Sequence, residues 1–322
     1  MRMLVTGGAG YIGSTVCNLL LDNGHQVEII DNLSTGLKKN IPLKANFHKV
    51  DMGDVKKVNK ILSTKNIDIV FHFAAFIDNV ESVKYPKKYM TNNYEKSKFF
   101  FEACIKKGIN KFIYSSTAAV YANKNKRINE KDFLKPISPY SKSKLKLEKF
   151  LLKKKNKINC IILRYFNVAG VEKKFRCGFN INKGSNLILN LCAASEKNKI
   201  FIINGNNYKT SDGTTVRDYI HVEDLAKIHL LTANLVLKKR IFKILNCGYG
   251  LGFSVKQILK EFAVYSKKDL RFKVGKRRTK DIVVSIANPN KLKKLVKWKP
   301  KYDNLSYVVK SSLKWFKKMS NC

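Results

Sequence analysis

Acidic residues are scarce in this chain of 322 residues, which has 23 Asp and Glu against 64 Lys and Arg and a formal net charge of +41. A basic excess of this size is typical of proteins that bind nucleic acids. Arginine is scarce too, since 55 of the basic residues are lysines and only 9 are arginines. Arginine is the side chain that makes bidentate contacts with bases and phosphates. We therefore expect no specific nucleic-acid site and interpret the lysines as a solvated surface.

Long apolar segments are also lacking, because no run approaches the roughly 20 residues that span a bilayer. The seven cysteines are an odd number without a Cys-x-x-Cys pair, which predicts free thiols in a reducing compartment. The five histidines lack the spacing of metal ligands, so no metal is expected. With 44% hydrophobic residues, the composition predicts a soluble, cytoplasmic globular protein without a membrane partner.

The N-terminal segment, in contrast, is rich in glycine. Residues 2–6 predict a strand and residues 12–23 a helix, with Gly7, Gly10 and Gly13 at the junction. The first glycine permits a tight turn, the second lets the backbone approach a pyrophosphate, and the third allows the helix to pack closely on the strand. The phosphates would lie at the helix N-terminus, where free N–H groups and the helix dipole favour an anion. This context predicts a dinucleotide-binding turn.

A second strand is predicted over residues 26–30, and it leads into Asp31, 18 residues after Gly13. An acid at this place accepts hydrogen bonds from the adenosine ribose and repels a 2′-phosphate, so the expected cofactor is NAD rather than NADP. The alternative is that Asp31 merely caps a loop.

Strand and helix patterns alternate through the first half of the chain, which favours an α/β fold of the Rossmann type, a doubly wound parallel sheet. A smaller mixed α/β lobe that binds the substrate is expected to begin after Asn167, where the alternation stops. The predicted strands are 2–6, 26–30, 46–50, 68–73, 111–115 and 160–165, and the predicted helices are 12–23, 54–64, 92–108 and 138–155.

Tyr140 and Lys144 lie four residues apart in a predicted helix, which puts them on one face, one turn apart. An ammonium beside a phenol favours the phenolate and lowers the pKa of the tyrosine, so the pair predicts a general base for an alcohol. Thr117 ends a predicted strand at the sheet edge where ligands bind, and it could hydrogen-bond the same alcohol. Alternatively, Ser115, Ser116 and Thr117 only satisfy a turn.

Together these segments resemble the extended short-chain dehydrogenases/reductases that act on nucleotide sugars, and among them the nucleotide-sugar epimerases. The resemblance covers nearly the whole chain; its more specific motifs are Leu-Arg-Tyr-Phe-Asn-Val-Ala-Gly at 163–170 and Asp-Gly-Thr-Thr-Val-Arg-Asp-Tyr-Ile-His-Val at 212–222. It implies a retained NAD and the 4-epimerisation of a UDP-hexose, UDP-glucose to UDP-galactose. In that reaction a transient oxidation at C4 gives a 4-keto sugar, with Tyr140 as the base.

The resemblance also implies a domain organisation and an assembly. The NAD-binding domain would comprise 1–167 plus about 219–247, and the nucleotide-sugar-binding lobe 168–218 plus 248–322. The helices 92–108 and 138–155 would form the interface of a homodimer.

Three sets of site residues follow from the family positions. The catalytic residues would be Tyr140, Lys144 and Thr117. NAD would be bound by Gly7, Gly10, Tyr11, Ile12, Gly13, Asp31, Asn32, Asp51, Met52, Phe73, Ala74, Ala75, Asn93, Ser115, Tyr140, Lys144 and Tyr165. The nucleotide sugar would be bound by Thr117, Tyr140, Asn167, Asn186, Leu187, Arg217, Arg278 and Asp281.

A few positions depart from the family pattern. Ile77 stands where some relatives have a cofactor-facing lysine, and Asp78 begins a pair that is more usually apolar-Gly. Asn204 stands where an apolar residue often packs on uracil, and Lys280 where glycine is usual. Ser285 lies where relatives vary in side-chain size, and a small residue there would admit N-acetylhexosamines.

Three alternatives remain open at this point. One is an epimerase of UDP-N-acetylhexosamines or UDP-uronates, and another is a dehydratase of the same superfamily. A dehydratase needs an acid pair after the threonine, whereas Ala118 and Ala119 follow Thr117 here. The third is a non-catalytic, nucleic-acid-binding descendant of the fold, which the net charge alone suggests.

Overall fold

The computed structural model of the protein describes residues 1–122, 126–182, 186–197, 199–278 and 281–321. Its strands are β1 Arg2–Thr6, β2 Gln26–Asp31, β3 Asn46–Lys49, β4 Ile69–His72, β5 Lys111–Thr117, β6 Asn159–Tyr165, β7 Asn167–Ala169, β8 Phe201–Asn204, β9 Val216–Arg217, β10 Tyr219–His221, β11 Phe242–Cys247, β12 Phe253–Ser254, β13 Phe272–Gly275 and β14 Val284–Ser285. Its α-helices are α1 Tyr11–Asp22, α2 Val55–Thr64, α3 Asn79–Lys84, α4 Pro86–Met90, α5 Ser97–Lys106, α6 Pro139–Lys153, α7 Leu187–Glu196, α8 Val222–Lys238, α9 Val255–Ser266, α10 Asn290–Val296 and α11 Leu305–Ser320.

Seven strands form one parallel sheet in the order β3-β2-β1-β4-β5-β6-β11. The chain leaves β1 toward one edge through β2 and β3, and then returns to the other side of β1 with β4. The strand order therefore reverses between β1 and β4. In open α/β sheets, ligands bind outside the carboxyl ends of the strands at such a switch point.

Helices cover both faces of this sheet. On one face α1 and α8 pack through apolar side chains that include Val16, Leu20 and Leu225. On the other face, α2, α5 and α6 pack against the sheet through a second apolar core, which includes Leu62 and Phe101. Strands buried on both faces are near-continuous apolar runs, which is the pattern that the sequence shows at 160–163 and, apart from His72, at 69–73.

A second, smaller core lies among elements of the C-terminal half. It joins α7, α9 and α11 through residues such as Leu191, Phe262 and Phe316. Short strand pairs border it: β7 with β10, β8 with β13, and β9 between β12 and β14. The helix α10 instead packs toward the main sheet, since Leu292 belongs to the core of α1 and α8.

The predicted fold class is confirmed, and the predicted strands and helices of the first half begin and end within two residues of those observed, with two differences. The predicted helix 92–108 is a π-helical segment, Thr91–Lys96, followed by α5. Strand β5 runs on to Thr117, because Ser115 to Thr117 pair with β6, and Thr117 also caps the 3₁₀ turn that follows by accepting from the Ala119 N–H. The division into domains stays a prediction. Within the described part of the chain, no helix is both long and apolar enough to cross a membrane.

Candidate active site

Close packing in the glycine loop, residues 7–13, explains two of its glycines. Gly7 has a φ of +73°, and a Cβ there would lie 2.7 Å from the backbone nitrogen of Ala74, the second residue after β4. A Cβ on Gly13 would lie 2.2 Å from the carbonyl oxygen of Gly7. At Gly10 the nearest atom would be 3.2 Å away, so the missing side chain leaves space on the outer side of the loop. The loop thus presents bare backbone at the switch point.

This backbone fits a phosphate group. Gly10 is the N-cap residue of α1, and no side chain caps the helix. Free N–H groups at a helix N-terminus, together with the helix dipole, bind anions. The side chain of Tyr11 points away, because its hydroxyl donates to the carbonyl of Gly170, and Ile12 packs against the apolar core. Both residues therefore offer only their backbone to a cofactor.

Asp31 lies at the end of β2 beside the glycine loop. Its carboxylate accepts hydrogen bonds from the backbone N–H of Ala9 at 3.0 Å and of Leu33 at 2.8 Å. Burial raises the pKa of this carboxyl, and the two N–H bonds lower it by less, so the net shift is upward. Asp31 does hold the loop, as the alternative interpretation expects. Each carboxylate oxygen can accept a further bond, so this contact leaves room for a ribose hydroxyl.

A cavity of about 390 Å³ lies next to the ends of β2 and β3, with Asn32, Asp51, Phe76 and Lys96 among its lining residues. Asp51 accepts hydrogen bonds from Lys96 Nζ at 2.8 Å and from Asn32 Nδ2 at 2.9 Å. Burial raises the pKa of Asp51, but these bonds and the N–H of Gly53 outweigh it and keep the group ionised. Met52 is buried below, where Ser97 contacts its sulfur.

The segment after β4 carries the small residues at the switch point. Asn93 fixes this segment, since its side chain donates to the carbonyl of Phe76 at 2.9 Å and accepts from the Phe76 N–H at 2.8 Å. It also donates to Ser143 of α6 at 3.3 Å. The ring of Phe73 packs at a tilt against that of His229 with 4.9 Å between ring centroids, and Ala74 and Ala75 follow it. Asn93 thus joins the β4 loop to the helix that carries Tyr140.

The three predicted catalytic residues meet where β5 and α6 face each other. Ser138 caps α6 by accepting from the Ser141 N–H at 3.1 Å, which places Tyr140 in the first turn. The Tyr140 phenol lies beside the Thr117 hydroxyl at the end of β5. One turn later, Lys144 Nζ donates to the carbonyl oxygen of Ser115 at 2.8 Å. The structure therefore brings together a phenol, a hydroxyl and an ammonium that the sequence places in two separate segments.

The electrostatics of this pair differ from the expectation. Burial raises the pKa of Tyr140 and the nearby Thr117 hydroxyl lowers it by less, so the net shift is upward rather than downward. Burial also lowers the pKa of Lys144 to about 7, although Glu148 acts in the other direction. Removing water disfavours both charged forms at once. The expectation was wrong because it counted the neighbouring charge and left out the cost of burying both groups.

Tyr165, at the end of β6, belongs to a buried hydrogen-bonded chain. His229 Nδ1 donates to the carbonyl of Leu225 at 2.8 Å, so its Nε2 accepts the Tyr165 hydroxyl at 2.6 Å. The nearby Ser115 hydroxyl acts to lower the pKa of Tyr165, but burial outweighs it and the net shift is upward. Burial lowers the pKa of His229 to about 4, which keeps the imidazole neutral. The sequence indicated only that His229 lacks the spacing of a metal ligand, and it did not predict this contact.

Beside the short strand pairs that border the smaller core, the structure joins two of the predicted substrate residues. Arg217 Nη2 lies 3.1 Å from Asp281 Oδ1, and both side chains are partly exposed. Two residues that the sequence did not indicate complete the cluster. The Tyr208 hydroxyl donates to Asp281 at 3.4 Å, and the guanidinium of Arg277 lies 4.2 Å above the centroid of the Tyr208 ring. Arg278 is exposed beside them. Lys280 lies outside the described residues.

The remaining predicted substrate residues occupy element ends. Asn167 is exposed at the start of β7, where its N–H donates to the carbonyl of Asp218 at 3.0 Å. Asn186 caps α7 by accepting from the Leu189 N–H at 2.9 Å, and Leu187 is the first residue of that helix.

A buried ion pair lies directly behind the catalytic residues, and sequence reasoning also missed it. Glu148 of α6 and Arg164 of β6 have side-chain exposures of 3% and 2%. Two guanidinium nitrogens of Arg164 donate to the two carboxylate oxygens of Glu148, at 3.0 and 2.5 Å. One signal was available, because Glu148 is four residues after Lys144 and shares its helix face.

The chain belongs to the NAD dependent epimerase/dehydratase family, whose sequence model matches residues 3–248. It is 37% identical over 318 residues to a UDP-glucose 4-epimerase of Azospirillum brasilense, which covers 98% of this chain and 91% of that protein. A structure of UDP-glucose-4-epimerase from Stenotrophomonas maltophila, with bound NAD and formylated UDP-arabinopyranose, superposes with a TM-score of 0.96 at 31% identity and covers 100% of this chain and 99% of that one. The UDP-Glc/GlcNAc 4-epimerase of Campylobacter jejuni has a TM-score of 0.86 at 34% identity, with coverages of 98% and 99%.

Proposed function

We propose that this protein is an NAD-dependent 4-epimerase of a UDP-hexose and interconverts UDP-glucose and UDP-galactose. The observation that carries the proposal is the meeting of Tyr140, Thr117 and Lys144 at the carboxyl edge of a sheet whose glycine loop lies at the switch point. The relatives that match nearly the whole chain are UDP-glucose 4-epimerases.

The cofactor site fits NAD on the structural observations. The bare outer side of Gly10 and the uncapped α1 N-terminus suit a pyrophosphate, and Asp31 suits a ribose with two free hydroxyls. Asn32, Asp51 and Met52 would enclose the adenine end, while Ser115 and Tyr165 would line the nicotinamide end. When bound, NAD supplies an acceptor and donor of hydride at the sugar C4 and a positive ring that favours the Tyr140 phenolate.

In this site Tyr140 takes the proton of the 4-hydroxyl, and Thr117 holds the same oxygen by a hydrogen bond. A positioned base of this kind typically contributes 10²–10⁴-fold to the rate. Lys144 is fixed by the Ser115 carbonyl, so its charge stays one turn from the phenol in either direction of the reaction. In the second hydride transfer the sugar presents its other face, and Tyr140 and Thr117 act on the 4-oxygen in the reverse direction.

The UDP moiety would be held by the second lobe. Guanidinium groups match the geometry of a diphosphate, and Arg217 and Arg278 lie on or beside the cluster with Asp281. Asn167, Asn186 and Leu187 would bind the rest of the nucleotide sugar. Asp281 already accepts from Arg217, so it orients that guanidinium before the ligand arrives.

A dehydratase activity is disfavoured by the residues that follow Thr117. Elimination across C5 and C6 needs an acid and a base near those carbons, whereas Ala118 and Ala119 form a 3₁₀ turn there, with Ala119 donating its N–H to Thr117 at 3.1 Å. Methyl groups cannot transfer protons.

The finer assignments of assembly and location are also proposals. Phe99 on α5 and Leu152 on α6 are 53% and 45% exposed, and these are the helices that the resemblance places in a homodimer interface. The substitution Phe99→Glu should therefore convert a dimer into a monomer, as measured by sedimentation velocity. Six described cysteines are free and buried, which suits the reducing cytoplasm.

The function is tested by incubating the purified protein with UDP-glucose, UDP-galactose and the two UDP-N-acetylhexosamines and separating the products. We expect interconversion of the UDP-hexoses without added cofactor. Tyr140→Phe is the matched control, which should keep the fold and the bound NAD while losing at least 10²-fold in turnover. A 4-keto-6-deoxy product would favour the dehydratase instead.

A further inference from the structure

Helix α6 carries three functional groups one turn apart, on a single face: Tyr140, Lys144 and Glu148. The first two belong to the site described above. The third is buried to 97% and points its carboxylate into the guanidinium of Arg164, which is equally buried. In the described hydrogen bonds the pair contacts no part of the glycine loop.

The pair is hydrogen-bonded to β5 on one side and to Tyr121 on the other. The hydroxyl of Ser116 donates to the Glu148 carboxylate, and Ser116 immediately precedes Thr117 on β5. On the other side, Arg164 Nη1 donates to the Tyr121 hydroxyl at 2.8 Å, and that hydroxyl donates to Asn246 Oδ1 at 2.7 Å. One buried network therefore fixes α6, β5 and β6 relative to one another.

The same network reaches the second lobe. Asn246 Nδ2 donates to the carbonyl of Ile128 at 2.8 Å. Ile128 in turn pairs with Ala287 in a parallel β-bridge. The Ile128 N–H donates to the carbonyl of Ile286, and the Ile128 carbonyl accepts from the Asn288 N–H, each at 2.8 Å. These residues follow β14, which pairs with the strand of Arg217.

Stability does not account for an ion pair in this position. Removing two charges from water costs several kcal/mol per ion, and a buried pair is often no more stabilising than apolar residues of the same volume. What a charged pair supplies beyond packing is fixed geometry and an electric field. Lys144 lies one turn before Glu148 on the same helix face, and the charge of Glu148 acts on it.

Lys144 needs a negative charge nearby to remain protonated in its buried position. Burial disfavours its ammonium and lowers its pKa to about 7, and Glu148 is the group that acts in the opposite direction. The other groups that face it are His72 of β4, Tyr114 of β5 with its ring centroid 5.1 Å from Nζ, and Tyr140. His72 stays neutral because burial lowers its pKa to about 3. Among these named groups, Glu148 carries the negative charge.

We propose that Glu148, held by Arg164 and Ser116, is a positioning residue that keeps Lys144 cationic and fixes α6 against β5. It touches neither substrate nor cofactor and acts through Lys144 on the Tyr140 phenol. This inference rests on the proposed function, because it assumes that Tyr140 works as a phenolate.

The test is a titration of the Tyr140 phenolate by ultraviolet difference absorbance in the NAD-loaded protein, taken as the difference between each variant and the same variant with Tyr140→Phe. In Glu148→Gln, loss of the charge should raise the pKa of Tyr140 by about one unit, since a neighbouring charge shifts a pKa by one to three units. Turnover at pH 7 should fall about tenfold with it. Glu148→Asp keeps the charge and should restore most of the shift.

A double variant separates the field from the packing. Glu148→Gln with Arg164→Met removes both charges and leaves no guanidinium unpaired, so it serves where the single variant fails to fold. A folded single or double variant whose Tyr140 pKa equals that of the unsubstituted protein would overturn the proposal, even with lower turnover. The titration needs no substrate. If the unsubstituted protein did not epimerise UDP-hexoses, the proposed function would fail whatever the titration gave.

Discussion

Lys144 Nζ donates a hydrogen bond to the carbonyl oxygen of Ser115 at 2.8 Å, which joins α6 to β5 beside the predicted catalytic hydroxyl. Because Thr117 is two residues farther along the strand, its side chain lies on the same face of β5 as that of Ser115. Tyr140 is one helical turn before Lys144. This contact, together with the bond from Ser116 to Glu148, sets the position of the phenol relative to Thr117.

Replacing Thr117 by Val should lower turnover by about 10- to 100-fold, because a hydrogen bond to a charged group contributes about 1.5–3 kcal/mol. Thr117→Ser is the matched control, since it keeps the hydroxyl that lies beside Tyr140 and accepts from Ala119. Steady-state kinetics with UDP-galactose measure the effect, and bound NAD should be unchanged. Equal turnover in the Val and Ser variants would remove Thr117 from the mechanism.

Alanine substitutions at two positions of the glycine loop should have different effects, one on stability and the other on NAD binding. Gly13→Ala places a Cβ 2.2 Å from a backbone oxygen that cannot move away, so it should destabilise the protein by about 1–3 kcal/mol or prevent folding. Gly10→Ala places a Cβ 3.2 Å from its nearest neighbour, with an ordinary φ of −78°, and should fold. Its methyl group would occupy the approach of the pyrophosphate, so we expect at least tenfold weaker NAD binding.

Thermal unfolding and the NAD content of the purified variants distinguish the two. A Gly10→Ala protein that retains full NAD, with unchanged stability, would show that the outer side of the loop does not face the phosphates.

Stability should fall between pH 6.5 and pH 4. Burial lowers the pKa of His72 and His221 to about 3 and that of His229 to about 4. The unfolded chain binds protons at these histidines below pH 6.5, whereas the folded protein does not, so unfolding takes up protons. Asp218 has the opposite effect, since burial raises its pKa to about 6 and the folded protein then holds a proton that the unfolded chain has released. This offsets the proton uptake of one of the three histidines. Each net proton costs about 1.4 kcal/mol per pH unit.

Urea unfolding midpoints at several pH values in this range measure the slope. The substitution His72→Asn removes one titrating group and should make the slope shallower. A midpoint independent of pH from 7 to 4 would mean that the three imidazoles are not buried as neutral groups.

Local patterns were sufficient to predict much of the first half. The strand, glycine turn and helix around Gly7 to Gly13 are adjacent in the chain, and their periodicity and composition define them without tertiary information. Tyr140 and Lys144 were found for the same reason, because helical spacing alone puts them on one face. The fold class followed from alternation of such segments.

The rest depends on contacts between distant residues. Strands β9, β12 and β14 have two residues each, too few for a period, and the pairing of Arg217 with Asp281 spans 64 residues. The partner of Glu148 lies 16 residues away on a buried strand, where an arginine breaks an apolar run without indicating what it faces. The upward shift in the pKa of Tyr140 could not be foreseen either, since burial is a property of the folded chain.

The central claim, that hydrogen leaves and returns at C4 while Tyr140 moves only the hydroxyl proton, has a direct test. UDP-glucose is converted in D₂O, and the UDP-galactose formed is analysed by proton NMR and mass spectrometry. The account predicts product with protium retained at C4 and no deuterium at any carbon, and product formation at least 10²-fold slower in Tyr140→Phe. Deuterium bound to carbon in the product would mean that a C–H proton exchanges with solvent, and it would contradict the account.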